Sequence, residues 1–304
     1  MIASSPAMGR VLEQIRHLAP TRSTVLIQGE AGTGKSHVAR VIHQQSPRRD
    51  GPFVEVSPAA VPHDLLATEL LGVESPGGQD QPGLLERADS GTLFVKGIDE
   101  MPLPAQVHLL QVLADRDVVR QGSTQRRRLD LRVISSARRD LEGEVRDGRF
   151  RGDLHQRLSV VVIHLPPLRE RLEDIPLLVE FFLRELRRDH HRRVSGLTRG
   201  LLERLARHPW PGNVRELRAA LEGMVVSARG KRTLDLSDLP LGWKDADGQT
   251  KEMRLTVGMS LEEAERRLIE ATLKETGFDK PRSAALLGIG LRTLYRKIQR
   301  YRIS

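Results

Sequence analysis

A glycine-rich stretch of this 304-residue sequence has the residue types and spacing to bind phosphate. It reads GEAGTGKS and fits the pattern G-x-x-x-x-G-K-[ST]. In that pattern the glycines allow a tight turn, backbone N–H groups face an anion, the lysine reaches the β- and γ-phosphates, and the last hydroxyl reaches Mg²⁺. The predicted loop comprises eight residues, which are Gly29, Glu30, Ala31, Gly32, Thr33, Gly34, Lys35 and Ser36.

The segments on either side of this loop are the elements that must position it. The apolar residues 25–27 are typical of a short buried strand, and residues 36–44 have the pattern of a helix whose N-terminal dipole favours an anion. A glycine-rich turn without a ligand is the alternative. Strand, loop and helix nevertheless follow in the order that phosphate binding requires.

The first half of the sequence alternates strand-like and helix-like segments, which predicts a parallel sheet covered by helices on both faces. Further strands are expected over 53–56, 92–95, 131–135 and 160–165, and helices over 6–19, 65–71 and 105–114. After residue 167 the pattern becomes helical, with helices predicted over 175–188, 198–207 and 214–228 and no strands between them. Residues 239–256 are predicted to be a linker, and the capping-box pair Ser260 and Glu263 to open a helix that ends near residue 276.

The last segment has the pattern of a helix-turn-helix that binds duplex DNA. Short helices are predicted over 283–287 and 291–301 around the turn at 288–290, and every charged residue from Lys280 onward is basic. A solvated basic tail is the alternative, but turn, charge and a small apolar core agree with a helix that enters the major groove. The candidate contact residues are Arg282, Arg292, Thr293, Tyr295, Arg296, Lys297 and Arg300, and the apolar core residues are Ala284, Ala285, Leu287, Ile289, Leu294 and Ile298.

Composition narrows the partners and the compartment. A net charge of +9 suggests an anionic partner, with nucleic acid ahead of a merely solubilising basic surface. The sequence has no cysteine, which excludes disulfides and zinc sites built on cysteine. Its ten histidines show no H-E-x-x-H spacing. No apolar run approaches the roughly 18 residues of a membrane span, so we expect a cytoplasmic protein without a membrane partner.

Several motifs stand together in the order found in one protein family. Besides the phosphate loop they are GTLF at 91–94, GRFRGDLHQRL at 148–158, LPPLRERLEDIP at 165–176 and HPWPGNVREL at 208–217. In these motifs the sequence resembles, over nearly its whole length, the bacterial enhancer-binding transcriptional activators. Those proteins are AAA+ ATPases that remodel RNA polymerase carrying sigma-54.

The resemblance implies a fold and a division of the chain. The fold is an α/β AAA+ P-loop NTPase core with a parallel sheet, an all-helical lid subdomain and a C-terminal helix-turn-helix of the Fis type. On this basis residues 1–173 are assigned to the core, 174–238 to the lid, 239–258 to a linker and 259–304 to the DNA-binding domain. Because the match begins near Ser5, no receiver or sensor domain is expected before the core.

The resemblance also implies ligands, partners and further site residues. The ligands are ATP and Mg²⁺, and the partners are double-stranded DNA and RNA polymerase or sigma-54. Self-assembly is expected as a dimer or a ring, or as a mixed ring with an active homologue, with nucleotide at the subunit interfaces. Arg151 and Arg157 match the arginine fingers that reach a neighbour's nucleotide, and Arg215 matches the lid arginine that senses the γ-phosphate.

The sequence departs from the family where ATP is hydrolysed. The strand that ends in GTLF should run into an Asp-Glu pair, which holds the Mg²⁺ shell and polarises the attacking water. Lys96 and Gly97 stand there instead, which leaves the Mg²⁺ site in question. Asp99 and Glu100 follow three residues later, and in an extended chain they would lie about 10 Å from the missing pair.

Three further parts of the family pattern are altered. The family motif GAFTGA, which contacts sigma-54, is replaced by VESPGGQDQPG at 73–83, where we expect only a loop over 75–83. Ser57 replaces an Asn that couples nucleotide state to the catalytic Glu. The strand that should end in a polar γ-phosphate sensor ends in Ser136, Ala137 and Arg138.

We therefore expect a DNA-binding transcriptional regulator that binds ATP, with ATPase activity weak or absent and sigma-54 contact impaired. Two alternatives stay open. One is an active sigma-54-dependent ATPase with an unusual metal site. The other is an AAA+ remodeller of a target other than polymerase.

Overall fold

The computed structural model describes residues 2–74, 80–190, 194–228, 230, 233–240, 259–276, 278–301 and 303. The chain divides into two compact units, Met1–Pro240 and Leu241–Ser304. None of the helices in the described ranges combines the length and the apolar character that crossing a membrane would require.

The first unit is built on a five-stranded parallel sheet. Its strands are β1 Val25–Gln28, β2 Phe53–Val56, β3 Thr92–Lys96, β4 Arg132–Ala137 and β5 Val161–His164, in the order β2-β3-β4-β1-β5. The register pairs Val25 with Ile134 on one side and with Val161 on the other. Because every pair is parallel, the carboxyl ends of β1, β3 and β4 meet at one edge of the sheet.

Helices cover both faces of this sheet, as the sequence predicted. They are α1 Pro6–Leu18, α2 Lys35–Gln44, α3 His63–Leu71, α4 Leu84–Arg87, α5 Leu103–Asp115, α6 Leu141–Arg146 and α7 Gly152–Leu158. Adjacent strand residues face opposite sides. Leu93 therefore packs with α3 and α5, whereas Phe94 packs with α1 and α2. The α/β fold class is confirmed.

Three further helices follow the sheet, α8 Ile175–Asp189, α9 Arg199–Arg207 and α10 Asn213–Ser227. Trp210 is fully buried between α9 and α10, where its Nε1–H donates to the carbonyl of Leu205 at 2.8 Å. The prediction of no strands in this region is wrong, because Gly196–Leu197 pairs in parallel with Thr233–Leu234. Two-residue strands are too short for a hydrophobic period to reveal them.

Two other short strand pairs differ from the sequence prediction. Gly72–Val73 pairs antiparallel with Gln81–Pro82, so residues 81–82 are not simply a loop. Residues 75–79 of that predicted loop lie outside the described residues. Asp117–Val119 and Arg126–Arg128 form a hairpin that the sequence analysis did not predict.

The second unit contains α11 Leu261–Glu275, α12 Lys280–Leu286 and α13 Leu291–Tyr301. Its buried core joins Ala284 and Leu294 to Ile269 and Leu273, two α11 residues that the predicted core did not include. Ser260 caps α11, since its Oγ accepts the Glu263 N–H at 3.2 Å. Residues 241–258, most of the predicted linker, lie outside the described residues, as do the side chains of Arg282 and Ala285.

Candidate functional site

The predicted phosphate loop connects β1 to α2 and has the backbone that its glycines suggested. Gly32 and Gly34 have φ values of 78° and 106°, which favour glycine. A Cβ on Gly32 would also overlap the backbone carbonyl of Gly212. The loop is thus fitted tightly against the start of α10, and α2 begins directly behind it at Lys35.

Lys35 lies inside this loop. Its Nζ donates to the carbonyl oxygens of Gly29 at 2.5 Å and Glu30 at 2.8 Å. Burial lowers the pKa of Lys35 to about 8, Asp99 opposes the shift, and the positive charges of Arg138 and Arg215 add to it. Burial by itself disfavours any charge, but the positive charges of Arg138 and Arg215 favour an anion at this place.

Residues from two motifs hold the loop from the other side. Asn213 Nδ2 donates to the Ala31 carbonyl at 2.9 Å and to Glu30 at 3.1 Å, and its Oδ1 accepts the Leu168 N–H at 2.7 Å. Arg169 donates two bonds to the Glu30 carboxylate, at 2.6 and 2.9 Å. The Arg169 bonds are the main reason that the pKa of Glu30 falls to about 2.

Arg171 also holds the phosphate loop in place. It is almost fully buried and its Nη2 donates to the Thr33 carbonyl at 2.8 Å. The sequence analysis assigned no role to Arg169, Arg171 or Asn213. Their positions inside LPPLRERLEDIP and HPWPGNVREL were the signal that could have found them.

A cavity of about 540 Å³ opens above the loop, between the sheet edge and α10. Of the predicted site residues, it brings together Ala31, Gly32, Gly34, Lys35, Ser36 and Arg215. Gly29, Glu30 and Thr33 support the loop but do not line the cavity. The cavity wall also includes Arg218 and Arg138, which were not among the predicted site residues. The lining therefore suits an anionic ligand.

A second cavity of about 420 Å³ adjoins the first and shares Gly34, His37, Phe182 and Val214 with it. Apolar side chains form most of its wall, including Met8 of α1, Val38 of α2 and Leu178 of α8. Such a lining suits a flat apolar group next to the phosphate loop, such as a nucleotide base.

The acidic residues after β3 lie closer to the cavity than an extended chain would allow. Gly97 has φ 73° and turns the backbone into a short 3₁₀ helix, Ile98–Glu100. Glu100 consequently lines the cavity, and its Oε2 would lie 3.3 Å from a Cβ on Gly97, so the expected displacement of about 10 Å is wrong for this residue. Its carboxylate is ion-paired with Arg138. Asp99 is buried, and it accepts the N–H groups of Arg138 at 3.3 Å and Arg139 at 3.4 Å.

Lys96 ends β3 at the same edge of the sheet. Its side chain is 54% exposed, lines the cavity and lies 3.7 Å from the Glu55 carboxylate, measured from Nζ. Ser57 and Ser136 line the cavity nearby, and Ser136 Oγ accepts the Gly97 N–H at 3.2 Å.

The oxygen ligands that the side chains around the cavity offer do not fit a typical Mg²⁺ site. Mg²⁺ binds through one or two carboxylates together with water and substrate phosphates. Ser36 supplies a hydroxyl, but Glu100, the carboxylate that lines the cavity, is paired with Arg138. Glu55 does not line the cavity and lies beside Lys96. Across the described ranges no three His, Asp or Glu side chains come together as a metal site.

Arg151 and Arg157 lie at the two ends of α7, and both are exposed. Arg151 pairs with Asp153 at 2.7 Å, and Arg157 donates to the Leu113 carbonyl at 3.4 Å. Neither lines the cavity of its own chain. Their position therefore does not suggest a role in the phosphate-loop cavity of their own chain.

The predicted DNA contacts whose side chains the structure describes fall into three groups. Arg292 and Arg296 are exposed on α13. Lys297 and Arg300 are instead paired with glutamates of α11, at 2.6 Å from Glu265 and 2.7 Å from Glu262. Thr293 is half-buried, and Tyr295 is half-exposed with the Lys280 ammonium 5.0 Å from its ring centroid.

Comparisons with known proteins agree with this arrangement. Residues 1–164 match the family model described as Sigma-54 interaction domain, residues 169–255 the AAA+ ATPase lid domain, and residues 260–301 the bacterial regulatory protein, Fis family. Transcriptional regulatory protein ZraR of Escherichia coli (strain K12) is 40% identical over 307 residues, covering 99% of this chain and 68% of ZraR. Regulatory protein AtoC of the same organism is 38% identical, covering 100% of this chain and 68% of AtoC.

Solved structures are similar as well. The crystal structure of NtrX from Brucella abortus in complex with ATP has a TM-score of 0.75 and 34% identity, covering 99% of this chain and 69% of that one. The NtrX complex with ADP has a TM-score of 0.76 and 33% identity, with the same coverage.

Proposed function

This chain belongs to the family of sigma-54-dependent transcriptional activators, with an AAA+ core and a Fis-type helix-turn-helix, and on that premise we propose that it works as a DNA-bound nucleotide switch. In this proposal the core binds ATP but hydrolyses it slowly or not at all. The observation that carries the proposal is the replacement of the catalytic carboxylates by Lys96 and Gly97 beside an otherwise complete phosphate loop.

ATP binding is supported by the loop and by the relatives. Backbone N–H groups of the loop, the start of α2 and Lys35 offer the donors that a triphosphate needs. Arg215 lines the same cavity, as expected of a residue that senses the terminal phosphate. NtrX has been solved with ATP and with ADP, and we extend that ligand to this chain.

Slow hydrolysis follows from the carboxylates around the cavity. An attacking water needs a base or an orienting acceptor. Gly97 has no side chain for this role, and its positive φ disfavours the glutamate that the family has there. Glu100 is neutralised by Arg138, so in this arrangement it is not free to orient a water.

The other family functions form part of the same proposal. Arg151 and Arg157 are solvent-exposed, which is compatible with reaching a neighbouring subunit in a homo-oligomer or a mixed ring. Arg292 and Arg296 are exposed for contact with duplex DNA. Contact with sigma-54 is proposed to be weakened, because 73–83 lacks the aromatic residue and the threonine of GAFTGA.

The test is ATP turnover by the purified full chain at saturating ATP and Mg²⁺, beside nucleotide binding under the same conditions. We expect the wild type to bind ATP and Lys35→Ala to lose binding. We also expect turnover of the wild type to be no faster than that of Lys35→Ala. Turnover on the order of 1 s⁻¹ or faster, the usual range for enzymes, would contradict the proposal.

One observation favours a second candidate, an active ATPase with a shifted acid. The turn at Gly97 brings Glu100 to the cavity wall. If Glu100 became free of Arg138 when ATP binds, it could orient the water. Glu100→Gln separates the candidates, because it abolishes turnover only if Glu100 is the missing acid and changes nothing if turnover is already absent.

A further inference from the structure

We propose that this cavity binds the triphosphate without a divalent cation, with Lys96 and Arg138 supplying the positive charge that Mg²⁺ supplies in other nucleotide sites. The inference rests on the proposed function, since it describes how the same site holds ATP. It goes further because it assigns a new binding role to Lys96, which replaces the family's metal-holding Asp, and to Arg138, which lies where the γ-phosphate sensor is expected.

The charge around the cavity is the first argument. Five Lys and Arg side chains line it, which are Lys35, Lys96, Arg138, Arg215 and Arg218. Glu100 is the only carboxylate among the lining residues that the structure describes, so the wall has an excess of four positive charges. A nucleoside triphosphate near neutral pH carries roughly three to four negative charges, because phosphate oxygens ionise with pKa values near 6 or below. Lining and ligand are therefore matched without a metal.

The position of Lys96 is the second argument. It ends β3 in register with Ser136 of β4, at the sheet edge where the phosphate loop leaves β1. An ammonium group there repels a divalent cation but donates up to three hydrogen bonds to phosphate oxygens. The carboxylate that would have to hold the water shell of Mg²⁺ is missing at this position.

The ion pairs of the two cations are the third argument. Lys96 is 3.7 Å from Glu55, and its side chain is more than half exposed, so this pair is weak and can exchange for a phosphate. Arg138 is held against Glu100, whose side chain is only 24% exposed. Glu100 thus acts as a positioning residue that keeps the guanidinium at the cavity wall.

The experiment is isothermal titration calorimetry of the full chain with ATP, once with excess Mg²⁺ and once with EDTA. For the wild type we expect Kd values that agree within about threefold, because the lining already neutralises the phosphates. Lys96→Ala should weaken binding in EDTA by about tenfold to a hundredfold, the usual size of a hydrogen bond to a charged group. Lys96→Asp should weaken it at least as much in EDTA and regain affinity when Mg²⁺ is added.

Lys274→Ala is the matched control. Lys274 is also a lysine paired with a glutamate, 60% exposed, but it lies on α11 and does not line the cavity. Its substitution should leave Kd unchanged in both buffers. Thermal unfolding of each variant shows whether it is folded, and we expect Lys96→Ala to be folded because the side chain is exposed.

The possible results separate this inference from the proposed function. The inference is supported if the wild type binds with comparable strength in both buffers and Lys96→Ala weakens binding in EDTA by about tenfold or more. A wild-type Kd for ATP that is more than tenfold higher in EDTA than in Mg²⁺ overturns the inference and leaves the proposed ATP binding intact. Absence of binding in both buffers overturns the proposed function, and the inference with it.

Discussion

The affinity for ATP should fall steeply above pH 8 because of Lys35. Burial lowers the pKa of this lysine from 10.5 to about 8 in the unliganded protein. When ATP binds, negatively charged phosphate oxygens take the place of the two carbonyl oxygens that accept hydrogen bonds from Lys35 Nζ. Their charge restores the pKa of Lys35 to at least its usual value. Binding is therefore coupled to the uptake of a proton wherever Lys35 is neutral before ATP arrives.

The size and direction of the effect follow from these two values. The pKa is higher in the bound state, so the full affinity is present below pH 8 and is lost as the pH rises toward the bound pKa. Between pH 8 and pH 9.5 the Kd should increase about 15-fold, or roughly 1.6 kcal/mol. The phosphates of ATP are already ionised throughout this window and add no pH dependence of their own.

Calorimetric titrations at pH 8.0, 8.5, 9.0 and 9.5 measure this dependence directly. At pH 8, two buffers with different ionisation enthalpies should reveal uptake of about half a proton per ATP bound. The control is Lys35→Arg, whose side chain stays charged over the whole window and should give a flat profile, whatever its absolute affinity. A wild-type Kd that changes by less than threefold up to pH 9.5 would refute the reasoning.

Three further outcomes are expected. Gly32→Ala should abolish ATP binding, because its Cβ would overlap the Gly212 carbonyl, whereas Gly9→Ala, on an open face of α1, should leave binding unchanged; calorimetry distinguishes them. Asn213→Asp should lower the free energy of unfolding by about 2–4 kcal/mol, since a carboxylate would then face Glu30, and an unchanged thermal midpoint would argue against this contact. Arg296→Ala should weaken binding to duplex DNA by about 1–3 kcal/mol if Arg296 contacts a base. If it contacts a phosphate, the slope of log affinity against log salt concentration should fall by about 1. Fluorescence anisotropy measures both, and an unchanged affinity and slope would remove this residue from the interface.

The second unit shows which features the sequence analysis could predict and which it could not. The turn, both helices and most of the small core could be predicted, because glycine positions and apolar spacing are local properties. The pairing of Lys297 with Glu265 could not, because the two residues are 32 positions apart and meet only when α11 packs on α13. A count of basic residues in the sequence therefore overestimates the number of unpaired cations at this surface.

The sequence by itself determined that the first unit has a phosphate loop and that Lys96 and Gly97 replace the expected acids. Both facts depend on residue type at fixed spacing, which needs no knowledge of distant contacts. Only the tertiary structure decided what surrounds that loop. Parallel strands bring Lys96 and Arg138 to one edge, the left-handed turn at Gly97 returns Glu100 to the wall, and Asn213 closes over Glu30. Except for the turn at Gly97, these features join residues far apart in the chain, and a local pattern does not encode them.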